Sequence, residues 1–130
     1  MKEELHALIS YRLKQADDSI AEARVLLKEG MSLRAVMNRL YYALFYSVLA
    51  LLQKKQIGTS KHSGVIALFD KEFVKTGAFT KEMSKTLHRS FELRQKADYM
   101  EQTEVSQEDM DEMFPQILAF VAETKKYFGK

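Results

Sequence analysis

Hydrophobic residues are most concentrated in the segment 32–55, and the rest of the chain is expected to pack around it. Between residues 35 and 52, 15 of 18 positions are apolar or aromatic, and no glycine or proline interrupts them. Ser32 stands where its side chain can cap a helix by accepting a hydrogen bond from a free backbone N–H. A helix that is apolar on nearly all sides must be covered by other elements. The segment is therefore predicted to be the central helix.

An alternative interpretation of the same segment is a helix that spans a membrane. Its longest run without a strongly polar residue extends from Leu40 to Leu52, which is 13 residues. A helix that crosses a bilayer needs about 20 apolar residues. Because the run is too short, we interpret the segment as a core helix and expect no membrane partner.

An amphipathic helix is predicted before the central one, from about Lys2 to Glu29. Its apolar positions alternate spacings of four and three residues, which is typical of a helix with one buried face. Those positions are Ile9, Leu13, Ala16, Ile20, Ala23 and Leu27. Gly30 stands where a left-handed residue commonly ends a helix. The short link to Ser32 then predicts an antiparallel hairpin with the central helix.

A third, shorter helix is predicted after a basic connection. Thr59, Ser60 or Ser63 can cap its start, and it is expected to run to about Lys75 and to stop at Gly77. Its inward residues are predicted to be Val65, Leu68, Phe69 and Phe73.

Two more helices complete the pattern. The fourth is predicted from Thr80 to about Met100, and the fifth begins after a short break. Ser106, followed three residues later by Asp109, resembles a capping box. Pro115 lies inside the fifth helix, where it either kinks the helix or marks a later start of its regular part. The apolar stripe of this helix is predicted to comprise Met110, Met113, Phe114, Ile117, Val121 and Phe128.

The pattern predicts an all-α fold built from a few long helices. A chain of 130 residues is long enough for a single core, so residues 1–130 are expected to form one domain. The absence of Cys excludes disulfides and thiolate chemistry. The N-terminal segment lacks the apolar stretch of a signal peptide. A cytoplasmic protein is expected on these grounds.

The net charge of +2 conceals an asymmetry along the chain. Residues 1–96 carry 17 Lys or Arg against 10 Asp or Glu. Residues 97–124 carry eight acids and no Lys or Arg, and residues 125–130 add three Lys. One end of the fold can therefore attract an anion. The alternative, of equal weight, is complementary packing between helices or solubility alone.

The fourth helix carries a charged pair where apolar residues are expected. At about 100° per residue, one stripe begins with apolar side chains and ends with Arg94 and Asp98. Burial of a charged pair is costly unless its geometry and hydrogen bonds are good. On the central helix, Asn38 and Tyr42 offer polar groups within an apolar face. We expect these two residues to face Arg94 and Asp98 in a polar pocket of the bundle wall or a subunit interface.

Two interpretations of this pocket remain open. It is either a buried network that fixes the register of helices or the geometry of a dimer, or a binding site. In the second case Arg94 holds a phosphate, and Asp98, Tyr99 or Asn38 positions the rest of the ligand.

Other candidate chemistry is limited. The connection that carries Lys54, Lys55, Lys61 and His62 either contacts a phosphate near a helix N-terminus or is an ordinary solvated loop. No two of the three histidines stand three or four residues apart, so no metal site is predicted. The sequence has no glycine-rich phosphate loop, and no cofactor is expected.

Three segments carry motifs in a characteristic order. They are Asn38-Arg-Leu-Tyr-Tyr-Ala-Leu-Phe45, then Lys61-His-Ser-Gly-Val65, then Phe91-Glu-Leu-Arg-Gln-Lys-Ala-Asp-Tyr99. Together they resemble the HEPN domain (higher eukaryotes and prokaryotes nucleotide-binding), and the likeness spans nearly the whole chain. The resemblance implies an all-α, antiparallel up-and-down bundle of four main helices plus one shorter helix, which is usually homodimeric. It also implies frequent pairing with a minimal nucleotidyltransferase in a prokaryotic toxin–antitoxin operon.

The resemblance also bears on activity. Many members of that family look like metal-independent endoribonucleases, in which an Arg holds the phosphate and a His four to six residues later assists the ribose 2′-OH or the leaving group. Arg94 matches the Arg, whereas Asp98 and Tyr99 occupy the place of the His. In some relatives a Tyr just after this motif looks like the target of nucleotide transfer, and Tyr99 is the matching residue.

The leading prediction is a dimer that binds nucleotide or RNA phosphate and acts with a nucleotidyltransferase partner. An endoribonuclease toxin and a purely structural dimeric adaptor are the alternatives. The candidate catalytic residues of the protein are Arg94, Asp98 and Tyr99. Its candidate phosphate-binding residues are Arg94, Asn38, Tyr42, Lys61 and His62.

Overall fold

The computed structural model describes residues 2–58, 62–99 and 105–130, and it describes His62, Ser63 and Tyr99 by their backbone alone. These ranges contain five α-helices and no strand. In chain order the helices are α1 (Lys2–Lys28), α2 (Leu33–Lys54), α3 (His62–Phe69), α4 (Lys81–Tyr99) and α5 (Gln107–Tyr127). The all-α prediction is confirmed.

Helix α2 is the central element, as its sequence predicts. It packs against α1, α3, α4 and α5, and its Ser32 Oγ accepts a hydrogen bond from the backbone N–H of Ala35 at 3.2 Å. By length and composition α2 would be able to cross a membrane. However, 61% of its most apolar stretch is buried inside the bundle, which is the arrangement of a core helix.

Helices α1 and α2 form the predicted antiparallel hairpin. Gly30 has a φ of 71°, the left-handed conformation that an L side chain rarely adopts. The N–H of Met31 donates to the carbonyl of Leu26 at 2.9 Å, and that of Gly30 donates to Leu27 at 3.2 Å. This pair of hydrogen bonds is a Schellman motif, which satisfies carbonyls at the end of α1.

The buried face of α1 differs from the predicted stripe in its C-terminal half. Ser19 is buried, whereas Ile20 is only half-buried. Leu26 packs against the core, and Leu27 is 38% exposed. Packed helices cross at an angle, so the line of contact moves around the helix surface. A straight stripe therefore predicts the wrong leucine near the end of α1.

The segment after α3 departs from regular helix. The sequence predicts one helix to about Lys75, but α3 ends at Phe69 and a π-helical turn spans Asp70–Val74. In this turn the N–H of Lys75 donates to the carbonyl of Asp70, five residues earlier, at 2.9 Å. Gly77 follows with a φ of 82°, and it ends the segment as predicted. The predicted caps Thr59 and Ser60 lie outside the described residues.

An aromatic cluster joins the π-helical turn to the two last helices. The ring of Phe69 lies 5.3 Å from that of Phe120 and 5.7 Å from that of Phe79, centroid to centroid. Phe73 lies 5.8 Å from Phe79. The start of α4 and the end of α5 are therefore held at the same end of the bundle. This packing makes α4 and α5 antiparallel, as predicted.

Helix α5 begins with the predicted capping box. Ser106 Oγ accepts from the N–H of Asp109 at 2.9 Å, and the Asp109 carboxylate accepts from the N–H of Ser106 at 3.3 Å. The helix continues through Pro115 to Tyr127. Its stripe needs a correction, because Phe120 is buried at the centre of the core whereas Phe114 and Phe128 are only partly buried.

Candidate anion-binding site

Arg94 is held in the wall of the bundle, where α4 passes α2. Its side chain is 16% exposed, and its guanidinium lies 5.2 Å from the ring centroid of Tyr41 and 5.6 Å from that of Tyr42. Nη2 also lies 3.5 Å from the hydroxyl oxygen of Tyr42, a long hydrogen bond. The rings attract the cation through their negative faces. The side chain is thus directed inward, beside the phenol of α2.

The carboxylate of Asp98 accompanies this guanidinium. Its Oδ2 lies 3.0 Å from Nε of Arg94, one helical turn earlier, and the Asp98 side chain is 27% exposed. Nε is buried, and its N–H is not directed at that oxygen, so among the described residues it makes no hydrogen bond. The contact is therefore an ion pair by distance alone. A pair without hydrogen bonds leaves the guanidinium poorly satisfied.

Tyr41 forms the buried back of the site. It is 1% exposed, and its ring contacts those of Tyr42 and Phe91 at 5.4 and 6.1 Å. Burial raises the pKa of the Tyr41 phenol, and the positive charge of Arg94 opposes that rise less strongly. The phenol consequently stays neutral at physiological pH and presents a π face rather than a charge to Arg94.

Asn38 has a different arginine partner from the one that the sequence predicts. Its Oδ1 accepts from Nη2 of the adjacent Arg39 at 3.0 Å and from Nε at 3.3 Å. Arg39 also lies 5.2 Å from the ring centroid of Tyr42 and 3.5 Å from the carboxylate of Glu22. The amide oxygen of Asn38 is therefore engaged within α2, and no hydrogen bond joins Asn38 to Arg94 among the described residues.

Arg39 and Tyr41 also lie at this site, although they were not predicted from the sequence. Two guanidinium groups, from Arg39 and Arg94, approach the single ring of Tyr42. Each of these guanidinium groups also has a carboxylate beside it, Glu22 at 3.5 Å from Arg39 and Asp98 at 3.0 Å from Arg94. The available signal was the presence of Arg39 among the few polar residues of an otherwise apolar helix.

The other predicted site residues cannot all be placed. Lys61 lies outside the described residues, and so do the side chains of His62 and Tyr99. In the basic connection after α2, Lys55 Nζ donates to the backbone carbonyl of Glu72 at 2.9 Å and lies 3.6 Å from the Glu72 carboxylate. Lys55 thus fastens the end of α2 to the π-helical turn.

A second polar cluster joins this turn to α4. The carboxylate of Asp70 accepts from Ser84 Oγ at 2.6 Å and contacts His88 Nε2 at 2.6 Å. His88 is six residues before Arg94, about 9 Å along the helix axis. The cluster holds the π-helical turn against α4. Within the described ranges, no three His, Cys, Asp or Glu side chains are grouped to hold a metal ion.

The acidic segment of the chain is partly balanced by complementary packing. Arg89 on α4 lies 2.9 Å from the carboxylate of Asp109 and 3.9 Å from that of Glu112 on α5. Lys125 pairs with Asp17 of α1 at 3.0 Å. These contacts engage two acids of α5, Asp109 and Glu112, whereas Arg94 lies on the other side of α4, against α2.

Fold and site together define a small helical bundle with an arginine set among aromatic rings in its wall. A family model for the HEPN domain matches residues 9–127. The chain therefore belongs to the HEPN family, as the sequence motifs indicate.

Named relatives cover most of the chain. A "UPF0332 protein" of Thermotoga maritima is 41% identical over 123 residues, which are 95% of this chain and 92% of the relative. Two proteins of Methanocaldococcus jannaschii are each 36% identical. "Putative toxin MJ0142" aligns over 97% of this chain and 82% of its own length, and "Putative toxin MJ0605" over 76% and 70%.

Proposed function

We propose that this protein is a toxin-like HEPN dimer that binds a phosphate of RNA or of a nucleotide through Arg94. The observation that carries the proposal is the position of Arg94, which is mostly buried, flanked by Tyr41 and Tyr42, and paired with Asp98 without a hydrogen bond. A phosphate would give this guanidinium the short, charge-assisted hydrogen bonds that it lacks among the described residues.

The residues around Arg94 would have distinct roles. Arg39 adds positive charge on the same aromatic ring, and the hydroxyl of Tyr42 can donate to a phosphate oxygen. Asn38 holds the guanidinium of Arg39. Asp98 keeps Arg94 oriented from the following turn. Because many members of the family look like endoribonucleases, RNA is the favoured ligand.

A homodimer is part of the proposal. Helix α2 carries a stripe of partly buried aromatic and aliphatic side chains beside Arg94, between α1 and α4. The stripe comprises Tyr42, Phe45, Tyr46 and Leu49. A second copy packed on this stripe would bring two Arg94 side chains to one cleft. Large apolar surface next to charged groups is typical of an interface.

We also propose a minimal nucleotidyltransferase as the partner of a toxin–antitoxin pair in the cytoplasm. The support is the family membership and the two relatives that are named as toxins. In such a pair Tyr99, at the end of α4, is the expected acceptor of a transferred nucleotide. Co-expression with a nucleotidyltransferase, followed by intact-mass analysis with Tyr99→Phe as control, tests this part. An unchanged mass of the wild-type chain would contradict it.

Isothermal titration of the purified protein with ATP, other nucleotides and short single-stranded RNA tests the binding site. We expect saturable binding of RNA that weakens with salt, since phosphate contacts release counterions. Absence of binding to every one of these ligands, with or without the partner, would contradict the proposal.

The second candidate function is a metal-independent endoribonuclease, favoured by the toxin names of two relatives. Asp98 would then have to act as the base in place of a histidine. RNA incubated with the protein and EDTA should be cleaved, and Arg94→Ala should abolish the cleavage. Cleavage that survives this change would come from another site or from a contaminant.

A further inference from the structure

A second basic pocket lies at the opposite end of the bundle from Arg94. It forms where the first turns of α1 meet the end of α2 and the residues that follow α5. Its volume is about 270 Å³, and its floor is Ile9, which is 6% exposed. The polar and aromatic groups around that floor are His6, Ser10, Lys54, Tyr127, Phe128 and Lys130. Two separate segments thus supply lysine ammonium groups to one concave surface, and α1 adds the His6 ring.

The lysines of this pocket differ from their neighbours in their charge partners. Lys55 pairs with Glu72 and Lys125 pairs with Asp17. Within the described part of the chain, Lys54 and Lys130 form no ion pair with a carboxylate. The two lysines that line the pocket therefore keep their charge available, as does Lys126 outside it, whereas Lys55 and Lys125 are paired within the fold.

The pocket also has an aromatic wall and a hydroxyl group. Lys130 Nζ donates to Ser10 Oγ at 3.0 Å, so the end of the chain is held against α1. Lys54 Nζ lies 5.9 Å from the ring centroid of Phe128. The rings of Tyr127 and Phe128 are 5.3 Å apart and nearly perpendicular. Tyr127 is 39% exposed, which leaves aromatic surface open to a planar group.

We propose that this pocket binds a phosphomonoester that carries a planar ring, of which a 5′-mononucleotide is the simplest example. Lys54 and Lys130 hold the phosphate, and His6 approaches it from α1. The ring lies against Phe128 and Tyr127, where stacking on an aromatic side chain tolerates any base. The same chemistry is offered by a free nucleotide and by the 5′-phosphorylated end of an RNA.

This site is independent of Arg94. Lys54 is 12 residues after Tyr42 on α2, so the two sites are about 18 Å apart along the helix axis. Lysines near helix C-termini also stabilise the helix dipole. If the lysines had only that role, their removal would change the melting temperature, and the protein would bind no ligand at this pocket.

Titration calorimetry with 5′-AMP, adenosine and inorganic phosphate tests the proposal. We expect 5′-AMP to bind more tightly than phosphate, and adenosine to bind most weakly. The double variant Lys54→Gln/Lys130→Gln should bind 5′-AMP at least tenfold more weakly, with Lys54→Gln alone as the milder variant. Lys126→Gln, which removes one charge from an exposed position of α5 outside the pocket, should leave this affinity unchanged. All titrations are made in the Arg94→Ala background, so that 5′-AMP bound at the proposed first site does not contribute.

Three results would overturn the proposal: no binding of 5′-AMP at millimolar concentration, equal binding by the double variant, or an equal loss in Lys126→Gln.

Competition with trinucleotide RNA distinguishes a free nucleotide from the 5′-phosphorylated end of an RNA as the ligand. Displacement of 5′-AMP by 5′-phosphorylated RNA, and not by 5′-hydroxyl RNA, identifies an RNA end as ligand. No displacement by either supports a free nucleotide, and equal displacement by both would refute phosphomonoester recognition. Because Arg94→Ala removes the first site, a failure here is distinguishable from a failure there.

Discussion

Arg94 remains compatible with a helical bundle because three kinds of contact share its charge. Two tyrosine rings cover its guanidinium at 5.2 and 5.6 Å, a carboxylate lies 3.0 Å from Nε, and part of the side chain reaches the surface. None of these contacts is a short hydrogen bond within the described residues. The side chain is thus held in place without a full set of hydrogen bonds, and for this reason we propose it as the group that binds an anion.

At the residue scale, Tyr41 makes stability depend on pH. Its pKa is raised by burial, so the folded state keeps the phenolic proton after the unfolded chain has lost it. The unfolded state then binds fewer protons above about pH 10, and the free energy of unfolding falls as pH rises beyond that value. Below it the contribution is constant.

Urea unfolding at several pH values between 8 and 11 measures this effect. Tyr41→Phe should reduce the loss of stability above about pH 10, and it should remove a late phase from the ultraviolet titration of the tyrosines. Tyr11→Phe is the matched control, since Tyr11 is 55% exposed. A wild-type and a Tyr41→Phe protein with the same pH profile would show that burial does not perturb this phenol.

Part of the site was foreseeable from sequence, and part was not. The spacing of Arg94 and Asp98 on one helix is fixed by helical geometry, so their pairing could be predicted. The partner of Asn38 could not, because the choice between Arg39 and Arg94 depends on how closely α2 and α4 approach. The pocket at Lys54 and Lys130 unites distant segments, and no local pattern indicates it.

At the scale of elements, Asp70 fastens the π-helical turn to α4. It accepts from Ser84 and contacts His88, both at 2.6 Å, from a position that is 31% exposed. Asp70→Ala should lower the free energy of unfolding by about 1 kcal/mol, because it removes a partly buried hydrogen bond to Ser84 and an exposed contact with His88. Asp18→Ala, which breaks an exposed pair with Lys14, should change it by less than about 0.5 kcal/mol.

Chemical denaturation of the two variants distinguishes the predictions. An equally small effect of Asp70→Ala and Asp18→Ala would mean that the turn is held by the packing of Phe69 and Phe73 alone. The melting temperatures of the two variants then check independently which of them is less stable.

The capping box of α5 provides a second test at this scale. Ser106→Ala should cost about 1 kcal/mol of stability, since it removes the acceptor for the N–H of Asp109. Lys126→Ala, at an exposed position of α5 itself, is the control in the same denaturation assay. No difference between the two variants would contradict the role of the cap.

Helix starts and ends were predictable because they have local chemical causes. Ser32, Gly30 and Ser106 all stand where their side chains or backbone conformations are needed. The π-helical turn has no such signal. It differs from α-helix by a shift of one residue in the hydrogen-bond partner, and the inward positions Phe69 and Phe73 fit either state.

At the scale of the whole molecule, the central prediction about assembly is a dimer through α2. Sedimentation of the wild-type protein should give twice the mass of one chain. Phe45→Glu should yield monomers, since it places a charge in the proposed apolar interface. Val25→Glu, at an α1 position that is 59% exposed, should stay dimeric. A monomeric wild-type protein, or a folded Phe45→Glu dimer, would contradict the proposed interface.

The account depends most directly on the affinity of Arg94 for an RNA phosphate. Fluorescence anisotropy with a labelled single-stranded RNA should be measured for the wild type, Arg94→Ala and Arg89→Ala. Both variants lose one arginine of α4, but Arg89 faces α5, where it contacts Asp109 and Glu112, whereas Arg94 faces the tyrosine rings of α2. We predict at least a tenfold loss of affinity, about 1.4 kcal/mol, for Arg94→Ala and little change for Arg89→Ala. Equal affinities of a folded Arg94→Ala protein and the wild type would contradict the account.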